Sequence, residues 1–414
     1  MHPAVGGWKA RVQDNPARLL IATLALTFFF APVVAAALGV HAPTIENRKL
    51  GRLPERADGW SSFGVFDKWA TDHLPLRNVA INANTSVEHN VFRETPDYGA
   101  NGTATTTTAT GVAGISAPQP VVSAAAIPAF PTVIAGTGGW LFYGTDFRAA
   151  CNPTLSATVI AQRLARFSDI ISKAGKTFVM VVAPDKSNIY PEYLPAADQG
   201  VTCTSKAQAA LWSALAANPP GGYQDLHAAL LAAKAAAPAT LLYRKLDTHW
   251  NAYGALIYAH LLADSLNPQL WPTLRVTPLG DKPSNTDLSV LLGTRQTEEA
   301  PVFDISRPGV VQTTATAVQL SNTATNGAPL VAGRTLFISD SFTEASRFAI
   351  NPFFQDAGFI NSVAAQTEFD AFSSAISSAK TVVLEIVERD VVGGQAPILE
   401  TRVLDHLAAS LGEG

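Results

Sequence analysis

Charge is scarce in this chain. Only 15% of its 414 residues are Asp, Glu, Lys or Arg, 47% are hydrophobic, and the formal net charge is -4. No Lys/Arg-rich run occurs, so nothing draws a phosphate backbone and nucleic acid is excluded as a partner. Histidine is sparse as well, at 8 residues, and none stands in an HExxH pattern. No Cys pair completes a zinc site. Neither a metal nor a cofactor is expected. The two cysteines, Cys151 and Cys203, could pair in an oxidising compartment or be two unrelated buried thiols. Neither has a histidine or acid nearby to mark it as a nucleophile, and no internal repeat is present.

One long apolar run accounts for much of the missing charge. Residues 19–40, LLIATLALTFFFAPVVAAALGV, hold no charged side chain, and roughly 20 apolar residues cross a bilayer core. Lys9, Arg11 and Arg18 precede the run against a single Asp14. That bias keeps the N-terminus in the cytoplasm and exports the rest. The run exceeds a signal-peptide core of about 7–15 residues, so an uncleaved inner-membrane anchor is expected. The small residues of VVAAALG keep cleavage, and a periplasmic product, as the alternative.

Four segments follow from composition: a cytoplasmic N-terminus and transmembrane helix over 1–40, a helical juxtamembrane segment over 41–98, a Thr/Ala/Gly/Pro-rich linker over 99–128 and a globular domain over 129–414. In the second segment Phe66, Trp69, Ala70 and His73 have helical spacing. In the third no periodic apolar face exists to be buried. The fourth alternates strand and helix signals. GTGGWLFYGTD reads as a glycine turn into an aromatic strand. Ile160, Leu164, Phe167 and Ile171 share one helical face, stopped at Gly175. TFVMVVAP (177–184), RTLFISDSF and TVVLEIVER (381–389) are continuous apolar runs, the pattern of strands buried on both faces of a parallel sheet. The expected fold is α/β, with a parallel sheet between two helical layers.

Ligands in such sheets bind outside the carboxyl ends of the strands, so the chemistry is sought there. Ser341 falls just past the end of one buried strand and before a helix, where backbone N–H groups can receive an oxyanion. Alone it reads equally as a helix N-cap, worth about 1 kcal/mol. A hydroxyl needs a base to become a nucleophile, and LDTHW supplies one. In an extended turn Asp247 and His249 share a side. Asp247 then fixes the tautomer of His249 and leaves the other ring nitrogen for Ser341. The helix after this block is expected to lower the pKa of His249 and keep it neutral. As metal ligands the pair falls short of the usual three or four. APDKSNIYPEYLP lies on the same carboxyl edge, so Asp185 and Lys186 are candidates to bind substrate or to form a solvated loop pair. Tyr253, Arg347, Asn361 and Arg389 are further substrate candidates, or else ordinary surface and interlayer contacts.

With these residues in view the chain resembles the alginate O-acetyltransferase group, the AlgJ/AlgX-like proteins with an SGNH hydrolase-like domain. The resemblance is carried by Glu46-Asn47-Arg48 with Pro54, GGWLFYGTD, APDKSNIYPEYLP, LDTHWNAYGA, ISDSF and VVLEIVER, in that order, over 41–98 and 129–395. It implies a flavodoxin-like SGNH domain whose Asp–His block precedes the serine. It implies that Ser341, with His249 and Asp247, accepts an acetyl group from a membrane-bound O-acyltransferase and passes it to hydroxyls of an exported, alginate-like or cellulose-like polysaccharide. Other exopolysaccharide-synthesis proteins would be partners. The family's G-D-S reads Ser339-Asp340-Ser341 here, and serine restricts the backbone before the nucleophile. Two alternatives stay open: an acetyl esterase with the same triad, and a non-catalytic polysaccharide-binding or assembly protein.

Overall fold

The computed structural model describes residues 130–195 and 199–412, with Val65 and Trp69 alone before them, both helical. The expected anchor over 19–40 and linker over 99–128 lie outside the described residues, as does nearly all of the juxtamembrane segment. Among the described residues no helix is long and apolar enough to cross a membrane. The chain divides into units 1–96 and 97–414, and the second holds the predicted globular domain.

The strands of this second unit are β1 (Val133–Ala135), β2 (Leu141–Tyr143), β3 (Thr177–Ala183), β4 (Tyr223–Gln224), β5 (Arg275–Asn285), β6 (Thr297–Ser306), β7 (Val310–Ala315), β8 (Gln319–Ala324), β9 (Val331–Ser339), β10 (Phe354–Asn361) and β11 (Thr381–Val387). Its helices are α1 (Gly144–Cys151), α2 (Ala157–Lys173), α3 (Lys186–Ile189), α4 (Gln199–Ala217), α5 (Leu226–Ala236), α6 (Ala252–Leu266), α7 (Asp287–Leu291), α8 (Ser341–Ile350), α9 (Ala364–Thr367), α10 (Phe369–Ser378), α11 (Glu388–Val392) and α12 (Thr401–Ser410).

Seven strands form the main sheet in the order β4-β3-β11-β9-β10-β8-β7. The first five run parallel, with β11 in step with β3 from Thr381↔Thr177 to Val387↔Ala183. The expected all-parallel sheet needs correction at its edge, because β8 pairs antiparallel with β10 and β7 antiparallel with β8. The physical reason is legible in VVQTTA and QLSNTA, which are polar and mostly exposed. Strands wetted on one face suit an antiparallel edge, whereas parallel strands need cover on both. A second hairpin, β5–β6, stands outside the main sheet.

Successive residues of the inner strands point to opposite faces, and each face has its own core. Phe178, Met180, Val182, Leu336, Ile338, Val382, Leu384 and Ile386 meet α2, α4, α10 and α12 through Leu164, Phe167, Leu211, Leu215, Phe372 and Leu404. Val179, Val181, Ala183, Phe337, Val383 and Val387 meet α5, α6 and α8 through Leu230, Tyr258, Leu262, Phe342 and Ile350. Each such side chain fully removed from water contributes about 1.5–3 kcal/mol. Local signals agree with this packing. Ser156 caps α2 by accepting from Val159 N–H, and the helix stops at Gly175, whose φ of 73° only glycine adopts cheaply. Cys151 and Cys203 are joined as a disulfide, tying α1 to α4.

The ends of β3, β9 and β11 lie side by side at one rim. β11, last in the chain, inserts between β3 and β9. Residues 183–189, 339–343 and 387–392 are thereby gathered at one place.

Candidate active site

Asp247 and His249 sit on a loop rather than on a strand or helix. Tyr243 and Trp250 form an isolated antiparallel bridge, and Asn251 N–H donates to Leu242 O at 2.8 Å, pinching the loop shut. Lys186 fills its inside. Its Nζ donates to the carbonyls of Arg244 and Lys245 at 3.0 Å each and of Asp247 at 2.5 Å. After the loop Asn251 caps α6 by accepting from Tyr253 and Gly254 N–H. A Cβ on Gly254 would stand 2.7 Å from Leu242 O and 2.6 Å from Trp250 Cβ, so glycine alone lets α6 approach so closely. Trp250 Nε1 donates to Ser346 Oγ at 2.9 Å, tying the loop to α8.

Ser341 is the first residue of α8, and Asp340 is the cap. Asp340 Oδ1 accepts from Phe342 N–H at 2.9 Å and Oδ2 from Val387 N–H at 2.8 Å. With Phe342 N–H so engaged, the Ser341 N–H is the backbone donor beside its own hydroxyl. Among non-glycine residues described, only Arg295 and Asn326 have positive φ. Ser339 therefore sits in ordinary strand backbone, and serine in place of the family's glycine carries no left-handed strain.

The geometry brings the three expected residues into one line. Ser341 Oγ lies 2.8 Å from His249 Nε2, and His249 Nδ1 lies 2.8 Å from Asp247 Oδ1. These partners assign the proton to Nδ1 and leave Nε2 to accept from the hydroxyl. Asp247 is buried and further held by Arg244 Nη1 at 3.0 Å and Asp287 N–H at 3.1 Å, both on Oδ2. Arg244 is fixed in turn by Glu298 Oε1 at 2.9 Å. The His249 ring is 18% exposed at the rim, and its other flank packs on Phe342, 5.0 Å between centroids.

Electrostatics follow from these contacts. Burial disfavours the Asp247 carboxylate, yet the His249 hydrogen bond and the charges of His249 and Arg244 outweigh it and lower its pKa to about 2. Burial also pulls His249 down, but the hydrogen bond and charge of Asp247 leave it above its ordinary value. The expectation that a helix start would lower it is corrected: His249 precedes the cap Asn251, and the touching carboxylate outweighs the helix end. Burial draws Lys186 down to about 8.

The other expected binding residues divide differently. Asp185, Lys186 and Arg389 are at most 7% exposed, so they brace the site from within instead of facing a substrate. Arg389 Nη1 meets Asp185 Oδ1 at 2.9 Å and lies over the rings of Tyr143 and Phe342. Arg347 holds the carbonyls of Thr316 and Ala317 at the β7–β8 turn. Asn361 accepts from Val363 N–H at the end of β10. Tyr253 is 40% exposed and borders a cavity of about 470 Å³ with Tyr243, Arg244, Asn251 and Glu298, which neither His249 nor Ser341 lines. Asp247, His249 and Asp287 could bring ligand atoms within 4.8 Å for a cation, but both Asp247 oxygens already accept from Arg244, His249 and Asp287 N–H. The sequence reading missed Arg244, Asp287 and Glu298. Only Arg244, three residues before Asp247, lay near enough in the chain to be suspected.

The chain is similar to known proteins. The profile of the SGNH hydrolase-like domain of the acetyltransferase AlgX matches residues 133–367, a span that holds Asp247, His249 and Ser341. The probable alginate O-acetylase AlgJ of Azotobacter vinelandii is 25% identical over 138 residues, 33% of this chain and 34% of that protein. The chain thus aligns with about a third of its curated relative's length. The O-acetyltransferase domain of Pseudomonas putida AlgJ covers 68% of this chain and 100% of its own at 19% identity and a TM-score of 0.45. Pseudomonas aeruginosa AlgX covers 66% and 67% at 16% identity and a TM-score of 0.40.

Proposed function

The chain belongs to the AlgJ/AlgX-like family of SGNH hydrolase-like acetyltransferase domains, and from that premise we propose that it O-acetylates hydroxyls of an exported polysaccharide through Ser341. The observation that carries this is the unbroken line Ser341 Oγ–His249 Nε2, His249 Nδ1–Asp247, at 2.8 Å each.

In the first half-reaction Ser341 Oγ attacks the acetyl carbonyl carbon of the donor while His249 Nε2 takes the hydroxyl proton. The oxyanion forms at the start of α8, where the Ser341 N–H and the positive helix end favour negative charge. Collapse expels the donor's leaving group, which takes the proton from His249, and acetyl-Ser341 remains. In the second half a sugar hydroxyl attacks that ester, His249 removes its proton, and Ser341 leaves and is reprotonated. Asp247 keeps its charge throughout and steadies the imidazolium.

On the same reading the domain works outside the cytoplasm, held at the inner membrane by residues 19–40. There a membrane-bound O-acyltransferase would supply acetyl groups, alongside other exopolysaccharide-synthesis proteins. The Cys151–Cys203 disulfide supports an oxidising compartment. The test is labelling by a fluorophosphonate probe, then acetyl transfer from an activated ester with and without an oligosaccharide acceptor. Wild type should label at Ser341 and acetylate the sugar, and Ser341→Ala should do neither while staying folded. Transfer retained in that variant refutes the mechanism. Release of acetate alone, unaffected by acceptor, assigns an esterase instead.

A further inference from the structure

Beneath the nucleophile turn lies a carboxyl group that the transfer steps never touch. Glu385 stands in β11 on the face that carries Val383 and Val387, and it is 0% exposed. Three donors converge on its Oε2: Asp340 N–H at 3.3 Å, Thr343 N–H at 3.2 Å and the Thr343 hydroxyl at 2.9 Å. Its other oxygen, Oε1, is buried with no hydrogen-bond partner. Among the described residues Glu385 forms no ion pair. The groups around it are the Asp340 carboxyl, whose two oxygens accept from Phe342 and Val387 N–H, and the Tyr258 hydroxyl, 3.3 Å from Thr343 Oγ1. Arg389 and His249 stand beyond Phe342.

An ionised carboxylate here would set an unsolvated charge beside a second acid and leave one oxygen unsatisfied. A proton on the group removes the charge, and it lets Glu385 and Asp340 share a side-chain hydrogen bond that two bare carboxylates cannot make. Burial, and then the charge of Asp340, push the Glu385 carboxyl well above the usual range. Apolar sites are known to keep carboxylic acids neutral in this way.

We propose that Glu385 is a positioning residue held as the neutral acid. Its Oε2 gathers the donors of the Asp340–Thr343 turn and so sets the Ser341 hydroxyl opposite His249. Its lack of charge leaves no negative group in β11 to oppose the oxyanion at the start of α8. The positioning half rests on the reading of Ser341 as nucleophile; the neutral acid does not.

Two measurements on the full-length protein test this. Infrared difference spectra after isotopic labelling of glutamate should show at neutral pH a protonated-carboxyl stretch that is absent from Glu385→Gln. It should be distinct from that of Glu388, whose pKa burial also raises, to about 8, and whose band Glu388→Gln removes. Fluorophosphonate labelling of Ser341 should slow about tenfold or more in Glu385→Ala, where the turn loses its acceptor, and return to within about threefold of wild type in Glu385→Gln, which keeps an accepting oxygen and supplies an N–H in place of the acid proton. A wild-type spectrum that loses no acid band on Glu385→Gln substitution overturns the neutral acid. Glu385→Gln labelling as slowly as Glu385→Ala, with near-UV dichroism intact, overturns the positioning role. If Glu385→Ala does not fold, the band and the Glu385→Gln rate decide. Wild type that fails to label at all overturns the Ser341 reading and the positioning half with it, and the infrared band still decides the protonation state.

Discussion

Asp247→Asn is the sharpest probe of the site, because both carboxylate oxygens face donors only and the substitution turns one of them into an NH2. Oδ1 accepts from His249 Nδ1 and from His249 N–H, at 2.8 and 3.1 Å. Oδ2 accepts from Arg244 Nη1 and Asp287 N–H, at 3.0 and 3.1 Å. An asparagine NH2 must oppose one of these pairs. On the Oδ2 side it meets two donors that cannot change, a guanidinium and a backbone amide. On the Oδ1 side it meets one fixed amide and one ring nitrogen that can switch tautomer. The second arrangement is cheaper, and it moves the ring proton to Nε2, where it points at Ser341 and can accept nothing. Loss of the correct tautomer is worth up to about 10⁴-fold in a serine–histidine–aspartate site, or about 5 kcal/mol of barrier. The remaining unsatisfied amide costs about 1–3 kcal/mol of stability. The assay is the rate of Ser341 labelling, with near-UV dichroism and urea unfolding as controls. A folded Asp247→Asn protein that labels within about tenfold of wild type would show that tautomer control by Asp247 is not what activates Ser341.

The raised pKa of His249 predicts that Ser341 labelling climbs with pH through a midpoint above the ordinary 6.5, since only the neutral ring accepts the proton; a midpoint at or below that value contradicts the reading. The linked stability runs the other way: the His249 contribution is complete below 6.5 and fades as pH rises through the folded value, while that of Asp247 holds above 3.8 and fades as pH falls towards about 2. Lys186→Met removes the donor to three loop carbonyls and should cost about 2–4 kcal/mol in urea unfolding. It should also slow labelling, because the loop it braces carries His249. Unchanged unfolding and labelling would mean that the loop holds itself.

The parts legible in the sequence were those where a local rule and the tertiary structure agree. TFVMVVA and TVVLEIV are apolar at nearly every position because helices cover both faces of β3 and β11. Ser341 could be placed at a strand end, and Asp247 with His249 on one side of a turn, because both statements need only neighbours in sequence. The β7–β8 hairpin was passed over because VVQTTA and QLSNTA bury few side chains. Asp287 and Glu298 were out of reach for a different reason. They meet the loop across 40 and 54 positions, through contacts that only the folded chain creates. Asp185 and Lys186 misled in the opposite sense: a charged pair after a strand looks solvated, yet both are buried. Glu385 offered a signal left unused, a lone carboxylate within a strand otherwise apolar from Val382 to Val387.

The proposed base and nucleophile are carried on separate supports, and this bears on what the proposed triad could accept. His249 rides on a loop filled by Lys186, whereas Ser341 begins a helix anchored to β11 through Asp340 and Val387. The two supports meet at Trp250, which reaches Ser346 and packs edge-on against Phe342 at 4.8 Å. Their spacing is therefore set by the scaffold before any substrate arrives, which favours attack on the acetyl carbonyl. It does nothing to choose between water and sugar in the second half-reaction. Both the imidazole and the serine are partly open to solvent, so enclosure does not keep water from the acetyl ester. Under the proposed transfer, selection of a sugar would come from holding the polymer against the rim at high effective concentration. Tyr253, exposed on the first turn of α6 just after the loop, is the residue to test for that hold. Tyr253→Ala should accordingly raise the ratio of acetate released to acetyl transferred while leaving Ser341 labelling close to wild type; an unchanged ratio would move the polymer's track elsewhere on the rim.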